Sequence, residues 1–337
     1  MNEEIELVKI YADSQGIHKT MQQLEKGEIS LSHRTVLVID EAAMVPTRLM
    51  YDLFKKVLQE SAKIILVGDT EQLQSIEAGG AFLAFSKHLG AAQLTEIQRQ
   101  EEPWARQAVK DFHKGDAAEG LKAFAAQGLL TISDDRTVAR RELITAWSSE
   151  GVAAPTDNII LAATRQDVRL LNRDAQEERA KAFKLGKRSV LHEGGRFYQG
   201  DRVVITKNSR IIGVRNGDLG TVKDIDGKKI VIELDRGVTA RINLDNFNHA
   251  QLGYAITTHK AQGITAKNAF VLGGGVMTDK HQAVVQVSRA RGKTRVFIER
   301  AQAGGLAQIS RQMSRSNKKE LAIEQVPTLK VKRGIRF

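Results

Sequence analysis

Two short apolar runs, each closing on polar residues, constrain this chain more than any other feature. Residues 35–39 lead into Asp40, and residues 64–67 lead into Gly68-Asp69. Both runs are rich in β-branched residues and nearly uninterrupted in apolar character, the pattern of parallel strands covered on both faces. Between them, residues 47–60 carry Leu49, Leu53, Val57 and Leu58 near helical spacing. This reads as a β-α-β unit with polar groups at the carboxyl ends of both strands, where open α/β sheets bind ligands.

A mostly helical stretch is expected over 81–147, punctuated at Gly115, Gly120 and Gly128. A second α/β signal begins with the apolar run 158–164, and the helix after it is expected over 166–183. Between 197 and 244 the pattern changes to short alternating segments separated by Asn216-Gly217-Asp218 and Asp226-Gly227. Asn-Gly and Asp-Gly are strong tight-turn signals, so a small antiparallel β-barrel inserted into the second α/β domain is expected. The α/β pattern then resumes with a helix over 279–288 and a strand over 294–298. No internal repeat or low-complexity block is present.

The 337 residues suit two domains or slightly more. No apolar run reaches the length of a membrane span. The first residues, Met-Asn-Glu-Glu-Ile-Glu, are acidic where a secretory signal is basic and then apolar, so a cytoplasmic location is expected. The absence of cysteine excludes disulfides and thiolate zinc sites. The net charge of +11 favours a polyanionic partner, because each neutralised phosphate releases counterions. Residues 310–337 hold eight Lys/Arg against two Asp/Glu, so +6 of that charge sits in the tail. Such a tail is either a solvated terminus or an arm that touches nucleic acid.

Five strings carry chemistry. Asp40-Glu41-Ala42-Ala43-Met44 follows the first strand. A strand-end carboxylate can hold Mg²⁺ through water, and its neighbour can orient or deprotonate an attacking water; an Asp-Glu pair also serves as an acidic helix cap. Gly68-Asp69-Thr70-Glu71-Gln72-Leu73 follows the second strand, where Gly68 permits a sharp turn, Asp69 is a possible cap, and Gln72 offers an amide to a phosphate or a water. Gln98-Arg99-Gln100 supplies an arginine of the kind that stabilises charge on a terminal phosphate, although most arginines are surface residues. Tyr254-Ala255-Ile256-Thr257-Thr258-His259-Lys260-Ala261-Gln262-Gly263 is the most specific string, an apolar approach followed by hydroxyl, imidazole, ammonium and amide groups. No second His or Cys stands at ligand spacing from His259, which argues against zinc. Gln286-Val287-Ser288-Arg289-Ala290-Arg291 precedes the last strand and also reads as a cationic helix C-terminus.

The order and composition of these strings resemble superfamily 1 DNA helicases of the RecD-like branch, most closely the helicase part of TraA/TraI (MobF-type) conjugative relaxases. The likeness runs from about Gly16 to Arg300. It implies an α/β fold of two RecA-like P-loop-type domains, the first incomplete, with the barrel inserted in the second. The implied domains are 1–98 (first RecA-like), 99–155 (helical connection), 156–196 with 247–305 (second RecA-like), 197–246 (barrel) and 306–337 (basic tail). It implies ATP and Mg²⁺ as cofactors, single-stranded DNA as partner and 5′-to-3′ translocation as activity. By the same resemblance Asp40 holds Mg²⁺ through water, Glu41 is the catalytic base, and Gln72 senses the γ-phosphate. Arg99 and Arg289 reach that phosphate, while Gly68, Asp69, Gln262 and Gly263 lie toward the nucleotide. Thr258, His259 and Lys260 stand where nucleotide and DNA sites meet.

The chain departs from the pattern in one respect. The phosphate-binding G-x-x-x-x-G-K-[ST] is expected before Asp40 and does not occur in the 337 residues. Gly292-Lys293-Thr294 is no substitute, because the position five before Gly292 is Val287. An N-terminally truncated motor is therefore expected, without stand-alone ATP turnover. Either another chain supplies the missing segment or a relaxase domain, or the chain is a DNA-binding remnant.

Overall fold

The computed structural model describes residues 6–11, 14–70, 80–94, 96–274, 278–300 and 306–316. The chain divides into two compact units, with the boundary between Thr95 and Glu96. Among the described residues no helix is long and apolar enough to cross a membrane.

The first unit holds strand β1 (Glu6–Tyr11), helix α1 (Ser14–Glu25), β2 (Thr35–Asp40), a single 3-10 turn (Ala42–Met44), α2 (Thr47–Gln59), β3 (Lys63–Leu66) and α3 (Ala81–Leu89). The three strands pair in parallel in the order β1-β2-β3, with Val8, Leu37 and Ile64 in register. Leu37 and Ile39 point to a fully buried face, where Ile17 of α1 and Leu49, Met50, Leu53 and Val57 of α2 pack against them. The helical spacing of those residues turns one side of α2 inward, but Leu58, grouped with them by spacing, is 73% exposed and Met50 takes the inward place.

The second unit opens with α4 (Pro103–Lys114), α5 (Ala117–Ala126), β4 (Leu130–Ser133), α6 (Arg136–Gly151), β5 (Asn158–Ala162) and α7 (Arg165–Lys181). The inserted strands follow: β6 (Ser189–His192), β7 (Gly195–Tyr198), β8 (Arg202–Ile205), β9 (Leu219–Asp226), β10 (Lys229–Leu234), β11 (Thr239–Asn243) and β12 (Ala250–Leu252). The α/β part resumes with β13 (Ala255–Thr257), β14 (Asn268–Leu272), α8 (Lys280–Ser288), β15 (Thr294–Glu299) and α9 (Leu306–Ser314).

Five strands form a parallel sheet in the order β13-β5-β14-β15-β4. Ile159, Leu161, Val271, Val296 and Ile298 face one layer of helices (α4, α5, α8, α9), and Ile160, Phe270, Leu272 and Phe297 face the other (α6, α7). Cover on both faces is why β5 and β14 read as continuous apolar runs. Two expectations for the helical stretch need correction. It contains a strand, β4, at the edge of this sheet. Gly120 does not break a helix but lies inside α5, where a Cβ would come within 2.5 Å of the Phe112 ring.

The insertion is a five-stranded antiparallel sheet in the order β11-β10-β9-β8-β12, with β6 and β7 as a separate hairpin. Its strands begin before position 197 and end after 246. Among the described residues no ladder joins β11 to β12. The turn signals act as expected: Gly217 and Gly227 both take positive φ. The insertion has its own apolar core, including Phe197, Val203, Ile205, Val222, Ile232 and Ile242.

Candidate active site

In the first unit, Asp40 ends β2 and the chain turns at Glu41, which adopts left-handed backbone angles (φ 58°, ψ 36°). Only three non-glycine residues among those described have positive φ. Such strain costs on the order of 1 kcal/mol and is concentrated at functional sites. The turn is tied to the neighbouring strand end, because Val67 N donates to Ile39 O and Ala42 N donates to Val67 O, both at 2.8 Å. Asp40 Oδ1 accepts from Glu41 N at 3.0 Å. Gly68 packs against this turn so closely that a Cβ would lie 3.1 Å from Ala42 N and 3.2 Å from Ala43 N. Asp40, Glu41, Gly68 and Asp69 are thus brought together at the carboxyl ends of β2 and β3. Gln72 lies outside the described residues.

Asp40 and Glu41 are partly exposed. A single strand-end carboxylate suits a Mg²⁺ that keeps most of its waters and arrives with phosphate oxygens, since Mg²⁺ is commonly held by one or two carboxylates.

In the second unit the third and fifth strings converge. Arg99 Nη1 donates to Ser288 O at 2.9 Å. Gln100, buried, donates through Nε2 to both Ser288 O (3.0 Å) and Ala290 O (2.9 Å). Arg289 is 2% exposed, and its guanidinium donates to Val285 O and Ser288 Oγ, each at 3.3 Å. The carboxyl end of α8 is therefore where Arg99 and Arg289 meet.

The fourth string begins on β13. Thr258 donates to Ala162 O through its backbone N (3.0 Å) and its hydroxyl (3.3 Å), and its Oγ1 accepts from Gln286 Nε2 at 3.0 Å. This places Thr258 beside the end of β5 and joins it to α8. Burial lowers the Lys260 pKa from its ordinary value, and the positive charge of Arg165 lowers it further. Burial also lowers the His259 pKa, opposed by the Asp279 carboxylate. His259 is consequently held toward its neutral form. Gln262 has both side-chain polar atoms buried without a hydrogen-bond partner. Gly263 takes φ 76°, a conformation that suits glycine.

Gln100 and Gln286, the amides that fix this region, sit inside the third and fifth strings but carry no local signal of that role. Arg165, whose charge acts on Lys260, opens α7 and belongs to none of the five strings. Thr164 caps that helix by accepting from Asp167 N at 3.1 Å, and Asp167 pairs with Arg136 at 2.9 Å.

The AAA domain family matches residues 6–135. A conjugal transfer protein TraA from Agrobacterium fabrum is 34% identical over 327 residues, covering 93% of this chain and 29% of that protein. An ATP-dependent RecD2 DNA helicase from Deinococcus radiodurans is 31% identical over 68% of this chain and 31% of its own length. The chain thus spans under a third of these relatives. The crystal structure of a Pif1 helicase from Bacteroides, in complex with ADP-AlF3 and single-stranded DNA, superposes with TM-score 0.57 at 16% identity, over 89% of this chain and 85% of that one. That likeness supports the mixed α/β fold with parallel sheets. The chain is a homologue of the TraA conjugal transfer proteins and of the RecD and RecD2 helicases.

Proposed function

We propose that this chain is the motor portion of an ATP-dependent 5′-to-3′ translocase or helicase on single-stranded DNA, acting in conjugative DNA transfer in the cytoplasm. The carrying observation is the joined pair of strand ends, with Asp40, the left-handed Glu41 and Gly68-Asp69 held at the carboxyl end of the sheet. Asp40 would hold the nucleotide's Mg²⁺ through water, and the nucleotide would supply the phosphoryl group whose hydrolysis drives movement. Glu41 accepts a proton from water; Arg99 and Arg289 are the charge stabilisers of the same chemistry. Thr258, His259 and Lys260 contact DNA, with Gln262 and Gly263 toward the nucleotide. The inserted strands act as the small barrel of this helicase branch. The phosphate loop comes from a segment outside these 337 residues.

A second reading is favoured by the lack of G-x-x-x-x-G-K-[ST] within these residues. On their own they bind single-stranded DNA without turning over ATP.

The test is ATP hydrolysis with and without single-stranded DNA, alongside Glu41→Gln. Loss of a general base lowers turnover by about 10²–10⁴-fold. DNA-stimulated turnover that disappears in Glu41→Gln supports the motor reading. DNA binding without turnover supports the second. Absence of DNA binding would overturn both.

A further inference from the structure

The link between β8 and β9 carries an apolar residue that folding does not explain. Ser209 and Val214 form an antiparallel bridge, with Ser209 N donating to Val214 O at 2.8 Å and Val214 N to Ser209 O at 3.0 Å. Between them, Gly213 N donates to Arg210 O at 3.2 Å, closing a tight turn over Arg210-Ile211-Ile212-Gly213 with Gly213 at φ 75°. Val214 is buried in the insertion's core and Ile212 packs against it. Ile211, at the tip, is 100% exposed.

The turn is braced on several sides. Asn216 N donates to Asn208 Oδ1 at 2.5 Å, and Arg215 N donates to Asp218 Oδ2 at 2.8 Å. From the β10–β11 turn, Arg236 donates to Gly213 O and, at 3.3 Å, to Asp218 Oδ2. None of these bonds involves the Ile211 side chain. β-Branched residues are poor choices for turns, which favour Gly, Pro, Asn, Asp and Ser. The tip therefore holds a rigid aliphatic group in water at a position where a polar residue would serve the turn better.

Its surroundings are cationic. Lys207, Arg210 and Arg215 are exposed, and no ion pair among the described residues engages any of them. The only carboxylate on this link, Asp218, is already paired with Arg236. An aliphatic point ringed by unpaired cations matches a strand of phosphates carrying stacked apolar bases. Apolar side chains, isoleucine among them, wedge between base steps and unstack them, while flanking cations hold the phosphates.

We propose that the β8–β9 turn is a DNA-contact tip, in which Ile211 inserts between adjacent bases of a single strand while Lys207, Arg210 and Arg215 hold its backbone. The proposal rests on the reading of the chain as a single-stranded DNA motor and adds a contact outside the motor strings.

The probe is a single-stranded oligonucleotide containing 2-aminopurine, whose fluorescence rises on unstacking. Wild type, Ile211→Ala and Arg210→Ala/Arg215→Ala are compared for affinity, salt dependence and fluorescence. Ile211 is fully exposed, so its replacement leaves the fold intact, as circular dichroism will verify. Ile211→Ala should abolish the fluorescence rise and weaken binding about fivefold, the low end of a base-stacking contact, without altering the salt slope. The double arginine variant should weaken binding to all sequences and flatten the salt slope by about 0.7 per lost phosphate contact. If wild type binds the oligonucleotide and Ile211→Ala matches it in affinity and fluorescence, the tip proposal fails and the motor reading stands. If wild type does not bind, both fail. Self-association of wild type that Ile211→Asp removes, with DNA binding unchanged, would assign the tip to a second copy and overturn the proposal.

Discussion

Asp201 is wholly buried where the insertion meets the parallel sheet. Tyr254 OH donates to Oδ1, and Tyr198 N and Gln176 Nε2 donate to Oδ2, all at 2.6 Å. Burial pushes its pKa up to about 6, against the pull of these donors and the Arg179 charge. The unfolded carboxyl ionises near 3.8, so between about pH 4 and 6 the folded state retains a proton that the unfolded state has lost. Stability from this group is therefore highest below that window, falls through it and is flat above, by about 2–3 kcal/mol in all. Comparison of urea midpoints should show the advantage of wild type over Asp201→Asn narrowing by that amount from pH 4 to 6.5. A constant gap would mean that Asp201 ionises like an exposed carboxyl. Glu41 makes a different prediction. Its left-handed backbone is one that glycine adopts without strain, so Glu41→Gly should raise stability by roughly 1 kcal/mol while removing the proposed base. An unchanged or lowered urea midpoint would show that the turn is unstrained.

Gly253 links β12 to β13, at the return from the insertion to the parallel sheet. Gly253 N donates to Arg202 O at 2.9 Å, and a Cβ on it would lie 2.6 Å from Val203 C and 2.9 Å from Val204 N. Backbone cannot yield as a side chain can, so Gly253→Ala must displace β12 from β8, a loss of about 2–4 kcal/mol. Thermal unfolding within 1 °C of wild type would refute this. Which elements could be read from the sequence follows in part from the same packing; β3 is the exception, an edge strand among the described residues whose apolar run reads as covered on both faces although Ile65 (49%) and the following Val67 (44%) are exposed. β2, β5 and β15 are interior strands in their sheets, and their apolar runs are plain in the sequence. β1 and β4 are sheet edges with mixed patterns, and β13 has only three residues, so none of them gives a clear strand signal. Asp40, Arg99 and Arg289 stand out through the resemblance of the strings that carry them to RecD-like helicases, since a charged residue at an element end is by itself commonplace. Gln100 does not stand out, because its partners lie 188 and 190 residues away, and an amide holding distant backbone leaves no local pattern.

On the proposed reading, the charge balance of the whole chain, 51 Lys/Arg against 40 Asp/Glu, should make its affinity for a single strand primarily electrostatic. Aromatics are only 5% of the residues, which limits base stacking as a competing source of affinity. If four phosphates of a single strand are neutralised, log K falls with log salt at a slope near −2.8, about a 50-fold loss between 50 and 200 mM salt. The basic tail supplies the means to apportion that slope. Helix α9 is anchored by Ile309 and Met313, both essentially buried, so a chain stopped after Ser316 keeps its packed helix. Removing 317–337 deletes six Lys/Arg and two Asp/Glu. We expect the truncated chain to bind single-stranded DNA more weakly and with a flatter slope, by about 0.7 for each tail cation that touches a phosphate. A weaker affinity at unchanged slope would contradict the electrostatic account, because losing phosphate contacts must reduce counterion release. An unchanged affinity and slope would make the tail a solvated terminus and assign the salt dependence to the cations of the folded units.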